Sequence, residues 1–527
     1  MEKKNVEDGS KPAVETAPVT YTVFGPNQKR LLIAVLGFAT ITSPLTATIY
    51  FPLLPLLREH FHTTTQAINF TLTIYIIFQA ISPAVFGPLS DNTGRRPAYL
   101  LTLSLYMAAN LGLALNRVHY GVLLGLRAIQ SLGASAAYAI SFGVVADVCV
   151  PSERGRMLGP VSMALNLGAC IGPVVGGWVA YSSGSFEWIF WALVIVGGLL
   201  LFFVETFLPE TARSLVVNGA QRASLPLWEW TWLRMIQRLT PIDLLRRSAK
   251  RGRESSRGRP DEDPGSPSYP KSVSRLRMSN PLTCLRIIFH LDTFFALWML
   301  GSFYTVDYSL VAAIPDIYKQ IYHFNELQIG LTYLPRGVGI IVGGFFIGRV
   351  MDFNYKATAR QINWSIDSVS GDDLREFPIE RARARGSGWL LLVSTAGLVG
   401  YGWAVHYHVH VSALLILQFM QGFWGTCFYT VYNTLLVDVF PQGPSTAAAA
   451  ASITRCAMAA AGVAVLQPLL DAAGRGWYFT VLGLWSGSFG GVALWCIKKK
   501  GMGWRKRRLD RASAAEMSPV VVGERSN

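Results

Sequence analysis

Three arginines, Arg127, Arg336 and Arg455, fall inside long apolar runs of this 527-residue chain. A guanidinium in such a run costs several kcal/mol (~3 or more) unless it faces a water-filled cavity or a partner. Asp307 is placed comparably deep, whereas Asp292 and Glu205 sit nearer the ends of their runs. The first run holds no acid, and the second holds none before its trailing loop. A site for a lipophilic cation would need a buried carboxylate, because unpaired charge in low dielectric is expensive. Here the surplus is cationic, which favours an anionic or weakly acidic small organic ligand, with Arg336 and Arg455 on the ligand side. Neutral groups available to complete a pocket are Tyr75, Gln79, Asn166 and Tyr304, then Gln418, Gln421 and Asn433. The same groups can serve as hydrogen-bonded glue between helices.

Other chemistries lack their residues. His406, His408 and His410 alternate, which would align the rings only on a strand, and neither carboxylate nor cysteine joins them. No metal site is expected. There is no serine elbow, no phosphate-binding glycine loop and no zinc signature, so no enzyme activity, no cofactor and no ATP-driven pumping are expected. A proton gradient is the natural driving force.

The elements that must position these residues are membrane spans. Hydrophobic residues make up 51% of the chain and charged ones 15%, as lipid-facing helices require. Runs of about 20 residues suit helices and not barrel strands. They lie at 31–52, 66–86, 97–116, 120–147, 157–181 and 188–208, then 286–313, 327–350, 388–406, 411–437, 446–468 and 477–497. The expected fold class is an all-α polytopic membrane protein with twelve transmembrane helices in two pseudo-symmetric six-helix halves. Asp147-Val-Cys-Val-Pro151 is echoed about 290 residues later by Asp438-Val-Phe-Pro441, and Trp188 by Trp477. Two related halves are how many secondary transporters are built, with the ligand at the midplane between them.

The net charge of +15 is gathered in the segments between spans. Placing Lys3 to Arg30 in the cytoplasm satisfies the positive-inside rule at every loop, so both termini are expected there and nucleic acid is not a partner. Membrane lipids, protons and a small organic substrate are. The expected division is a tail at 1–30, a first half at 31–211, a central loop at 212–285, a second half at 286–497 and a tail at 498–527. Within the central loop, 225–250 mixes tryptophans with arginines like a helix lying in the headgroup layer, and 246–270 has a disordered composition. None of the six cysteines sits in an outer loop, so no structural disulfide is expected. The first 30 residues are polar, so no cleavable signal peptide is expected there.

Several motifs carry a resemblance. Gly87-Pro-Leu-Ser-Asp91-Asn-Thr-Gly94-Arg95-Arg96 joins spans two and three. It resembles the loop signature of the major facilitator superfamily, with Asn92 where that family usually has a basic residue. Arg127-Ala-Ile-Gln130 resembles the span-four motif whose arginine is associated with proton coupling. Gly168-Ala-Cys-Ile-Gly172-Pro173-Val-Val-Gly176-Gly177 resembles the span-five motif of drug:proton antiporters. Glu210 matches the usual ending of span six. Gly330-Leu-Thr-Tyr333, Gly348-Arg-Val-Met-Asp352, Phe377-Pro-Ile-Glu380 and Arg455-Cys456 are similar to the fungal twelve-span drug:proton antiporter family. Within that family the likeness is to the branch of quinidine- and weak-acid-resistance exporters and citrate exporters. Relatives often carry paired asparagines upstream of Arg455, where this chain has Ile453 and Thr454.

The resemblance implies a proton-coupled exporter of small organic molecules; the buried charges favour organic acids among them, and a monomer in the plasma membrane is expected. Arg127 and Asp307 would take part in proton coupling, with protons competing against substrate. The rival readings are a multidrug antiporter for cationic or neutral compounds, a proton symporter and a non-transporting sensor.

Overall fold

Breakers and caps, more than hydropathy, decide where these helices end. The computed structural model describes residues 26–149, 151–212, 287–364, 377–439 and 444–517; the segments expected at 225–250 and 246–270 lie outside them. Helices one to six are Pro26–Thr48, Thr65–Thr93, Arg95–Leu115, Tyr120–Val148, Pro151–Ser183 and Glu187–Phe207. Helices seven to eleven are Leu291–Tyr322, Leu334–Gln361, Ser387–His406, Val411–Val439 and Pro444–Ala464. The twelfth belongs to the helical stretch Leu466–Met517, which breaks at Gly474, where φ is 74°. Gly94, at φ 108°, makes the turn between helices two and three. Thr64 starts the second helix by accepting from the Ala67 amide at 3.2 Å, and a capping box between Asn325 and Gln328 starts the short helix Glu326–Leu331.

Among the described residues the twelve expected spans are present in order, most of them in helices longer than the apolar runs. The seventh continues to Tyr322 and the twelfth to Met517, where the expected ends were 313 and 497. Hydropathy marks where lipid contact stops; the backbone ladder continues until a glycine, proline or cap intervenes. The expected eighth span is divided, because Thr332 and Tyr333 separate the short helix from Leu334–Gln361. Eleven described helical stretches are long and apolar enough to cross a membrane, and the described apolar part of the eleventh helix, Ala449–Ala464, is shorter.

Within the first half, helix one packs on five, two on four, and three on four and six. The second half repeats this, with seven on eleven, eight on ten and nine on twelve. Side-chain-free faces permit the closest crossings. A Cβ on Gly168 would stand 2.9 Å from the Ile41 carbonyl, and one on Gly172 would press on Thr48 and stand 3.1 Å from the Ile49 amide. Gly176 faces the Ile49 carbonyl in the same row, whereas Gly177 points the other way, toward Gly330 of the second half. Such small-residue seams bring backbones together where lipid offers no hydrophobic drive.

Call the end of the bundle carrying both described chain ends the termini face, and the other the far face. At the termini face each half is clasped by ions. Glu210 accepts the backbone amides of Arg95 at 2.8 Å and Arg96 at 3.1 Å, and those of Thr211 and Ala212. Arg95 also bridges Asp147 at 2.9 Å and Asp91 at 2.5 Å. In the second half Arg383 meets Asp438 at 3.0 Å, Arg505 forks onto Glu380 at 2.7 and 3.2 Å, and Arg508 meets Asp292 at 2.9 Å. Lys498 to Arg508 is thus an extension of the last helix folded into the clasp.

Two outcomes are expected. Gly172→Leu should lower thermal stability in detergent and abolish transport; unchanged values for both would remove the seam from the fold's essentials. Arg505→Gln should destabilise by about 3 kcal/mol, because it strands a buried carboxylate, read as a lowered unfolding midpoint that Arg505→Lys partly restores.

Candidate functional site

Between the halves lies a cavity of about 470 Å³. Its floor and walls come from helices one, two, four and five on one side and seven, eight, ten and eleven on the other. Contacts across the halves gather at the far face. Phe51 stacks on Tyr333, with ring centres 6.0 Å apart, and meets Tyr308 edge-on. Gln66 donates to the Ala464 carbonyl at 2.8 Å, and Arg58 pairs with Asp316 at 3.5 Å. Toward the termini face the lining reaches Phe142 and Thr434, about one and a half turns short of the helix ends at Val148 and Val439.

Six of the residues singled out in the sequence line this cavity with Asp307: Gln79, Asn166, Tyr304, Arg336, Asn433 and Arg455. Asp307 and Arg336 form a bidentate pair, with Nε to Oδ1 at 3.0 Å and Nη2 to Oδ2 in direct contact. That geometry is the strongest an arginine makes. Arg455 differs. Its guanidinium stands 4.8 Å from the Tyr304 ring centre and 5.8 Å from that of Tyr429, and no carboxylate pairs with it among the described residues. Cation–π contact contributes about 2 kcal/mol when desolvated, which holds the cation without neutralising it. Pairing therefore reduces the cationic surplus read from the sequence to one uncompensated charge at the cavity wall.

Tyr75, Arg127, Gln418 and Gln421 lie off the cavity lining, inside their half-bundles. Arg127 is fully buried, 3.9 Å from the Tyr50 ring centre and 4.4 Å from that of Tyr75. It donates to Gln130 at 2.6 Å, and Gln130 donates to Asn110 at 2.6 Å. Nε and Nη2 of Arg127 have no hydrogen-bond partner among the described residues. Tyr75 separates this cluster from the cavity, its hydroxyl donating to the Ser43 carbonyl at 3.1 Å. Arg127 is the eighth residue of helix four, and Gln418 the eighth of helix ten. Gln418 donates to Tyr318 at 3.1 Å and Tyr401 at 3.4 Å, while Gln421 accepts from Ser394 at 3.4 Å. The two halves thus place a charged core and a neutral one at equivalent depths.

Gly87, Asp91, Gly94, Arg95 and Arg96 belong to the termini-face clasp. Gly168, Gly172 and Gly176 belong to the seam with helix one, and Pro173 and Gly177 to the contact with Gly330. Tyr138 and Tyr429, which face the cavity near Arg455, were missed in the sequence. Each is the nineteenth residue of its helix, four and ten; aligning the two halves residue by residue would have revealed them.

Comparison with known proteins places this architecture. Residues 36–363 match the family model of the Major Facilitator Superfamily. The chain is 32% identical to the MFS-type transporter tstD of Talaromyces stipitatus, over 97% of its own length and 89% of that protein's. It is 30% identical to citrate exporter 1 of Aspergillus niger, covering 93% and 90%. It is 29% identical to the MFS antiporter QDR2 of Candida albicans, covering 91% and 90%. Among solved structures, the human organic anion transporter MFSD10 (TETRAN) shares the fold, with a TM-score of 0.51 at 19% identity, over 90% of this chain and all of that one. With its twelve helices in two halves and this similarity along nearly its whole length, the chain is a multi-pass membrane protein that belongs to the major facilitator superfamily.

Proposed function

We propose that this protein is a proton-linked secondary transporter that exports small organic anions or weakly acidic metabolites. The observation that carries this reading is Arg455: a cation at the cavity wall, held by two tyrosine faces and lacking a carboxylate partner among the described residues. A substrate carboxylate would supply the missing counter-charge, and Asn166 and Asn433 offer amide donors on facing walls. The similarity to a citrate exporter agrees with an acidic substrate.

The cavity is bounded at the far face by contacts between the halves, so substrate would load from the termini face, which under the positive-inside rule would be the cytoplasmic one. Rocking of the halves about the Gly177–Gly330 contact would then expose the site on the other side. Proton linkage is assigned to Asp307, which pairs with Arg336 at the cavity wall, and to Arg127. Arg127 lies behind the cavity wall, its guanidinium 4.4 Å from the Tyr75 ring centre.

A second reading has its own observation. Asp307 reaches the cavity, and a cationic compound could take it from Arg336; the relative QDR2 is named an antiporter. Liposomes bearing a pH gradient of either sign separate the two. Labelled citrate flux should respond to the gradient and fall at least tenfold in Arg455→Gln, with part of it kept in Arg455→Lys; flux of a labelled cationic dye alone would favour the second reading. In Arg127→Ala, citrate counterflow should persist while its response to the pH gradient is lost. A normal response in that variant would take Arg127 out of the coupling.

A further inference from the structure

The anion-binding reading leaves the Arg336–Asp307 pair unexplained. A bidentate ion pair facing a solvent-sized cavity is an odd wall for a binding site, because both charges are already satisfied. Asp307 retains 28% side-chain exposure while Arg336 retains 7%. The carboxylate is therefore the more open partner, and the guanidinium the more enclosed one. The Arg336 backbone carbonyl meets the bare face of Gly422, and the next residue, Gly337, packs on Cys170 of the first half. These contacts anchor the stem of the arginine, so exchange at this pair means the carboxylate leaves.

Resting on the anion reading above, we propose that Asp307 is a tethered place-holder for a second anionic group of the substrate. A dianion would put one carboxylate on Arg455 and use the other to displace Asp307 from Arg336. The stranded Asp307 would then be an uncompensated charge beside Tyr304 and Tyr308 of its own helix. Tyr333 stands ahead of helix eight, Arg455 and Cys456 come from helix eleven, and the Phe51 ring comes from the first half. Arg455 is engaged by the substrate, and Arg127 lies behind the far wall, so neither cation replaces Arg336. An unpaired carboxylate in such a site is costly, and a proton from solvent removes the cost: one O–H bond forms on Asp307, and no other bond changes. When the substrate leaves, Asp307 returns to Arg336 and releases the proton.

The sign of this linkage is opposite to competition. Dianion and proton occupy the cavity together, and the empty carrier returns with its ion pair closed and no proton. A monoanion held on Arg455 alone leaves the pair intact and recruits no proton. The site thereby distinguishes substrates by their number of carboxylates, and it carries a dianion with the net charge of a monoanion. Export would run on the anion gradient and the membrane potential.

Isothermal titration of the full chain in nanodiscs near pH 7, in two buffers of different ionisation enthalpy, counts protons taken up on binding. The probes are succinate, glutarate and citrate, with butyrate as the monoanion. About one proton per bound di- or tricarboxylate and none for butyrate is the expected result. In Asp307→Asn the same dianions should bind about tenfold more tightly, without proton uptake, while Asp307→Glu should retain the uptake. Dianion binding by the wild type without proton uptake overturns the place-holder but leaves the anion reading standing, and that measurement depends on no variant. Uptake persisting in Asp307→Asn, or weakened dianion binding there, overturns it as well. If none of the four probes binds the wild type, the anion reading itself fails, and this proposal fails with it.

Discussion

The structure depends on how charge is answered where water is scarce. The guanidiniums of Arg127, Arg336, Arg455 and Arg505 are met by carboxylates, aromatic faces, a backbone carbonyl or a side-chain amide oxygen. Arg505 and Glu380 use the first at the termini face, with the Phe377 carbonyl at 2.8 Å adding the third. Arg455 uses the second, and Arg127 combines ring faces with a single amide oxygen. The choice sorts the residues by role. Arginines met by buried carboxylates fasten helices, whereas those met only by rings keep a charge to spend.

The two halves share a frame and diverge in charge. Asp147 and Asp438 close equivalent helices against Arg95 and Arg383. Yet Arg127 and Gln130 in the first half stand where Gln418 and Gln421 stand in the second. In the first clasp the acid follows helix six and the first turn of helix three contributes amides; in the second the acid sits in the short helix Ile379–Arg383 and the arginine in the extension of helix twelve. Duplication accounts for the frame. The asymmetry is what gives the two sides of the cavity different chemistry, with ionised side chains reaching the cavity from the second half alone among the described lining residues.

Much of the frame was legible in the sequence, because lipid forces long apolar runs and glycine rows must lie where helices touch. The order of the spans, the seam at Gly168 to Gly177 and the clasp at Gly87 to Arg96 follow from those constraints. Helix ends were less legible: Tyr322 and Met517 extend well past the apolar runs, since ladder and lipid boundary obey different rules. Within the site, charge type could be read but pairing could not. Asp307 and Arg336 are twenty-nine residues apart, and only the packing of helices seven and eight joins them. Gln418 and Tyr75 look in sequence like any polar group in a span; their neighbours Tyr318, Tyr401 and Ser43 turn them inward.

The contact between Pro173, Gly177 and Gly330 has a mechanical meaning. Because backbone meets backbone there, with no interlocking side chains, the two surfaces can part without extracting knobs from holes. Little dispersion energy is lost on separation, and no rotamer has to be reset before the halves can return. Such a joint would behave like a smooth bearing: it would fix where the halves pivot in the proposed transport cycle, and leave the timing of that motion to the aromatic and ionic contacts around it.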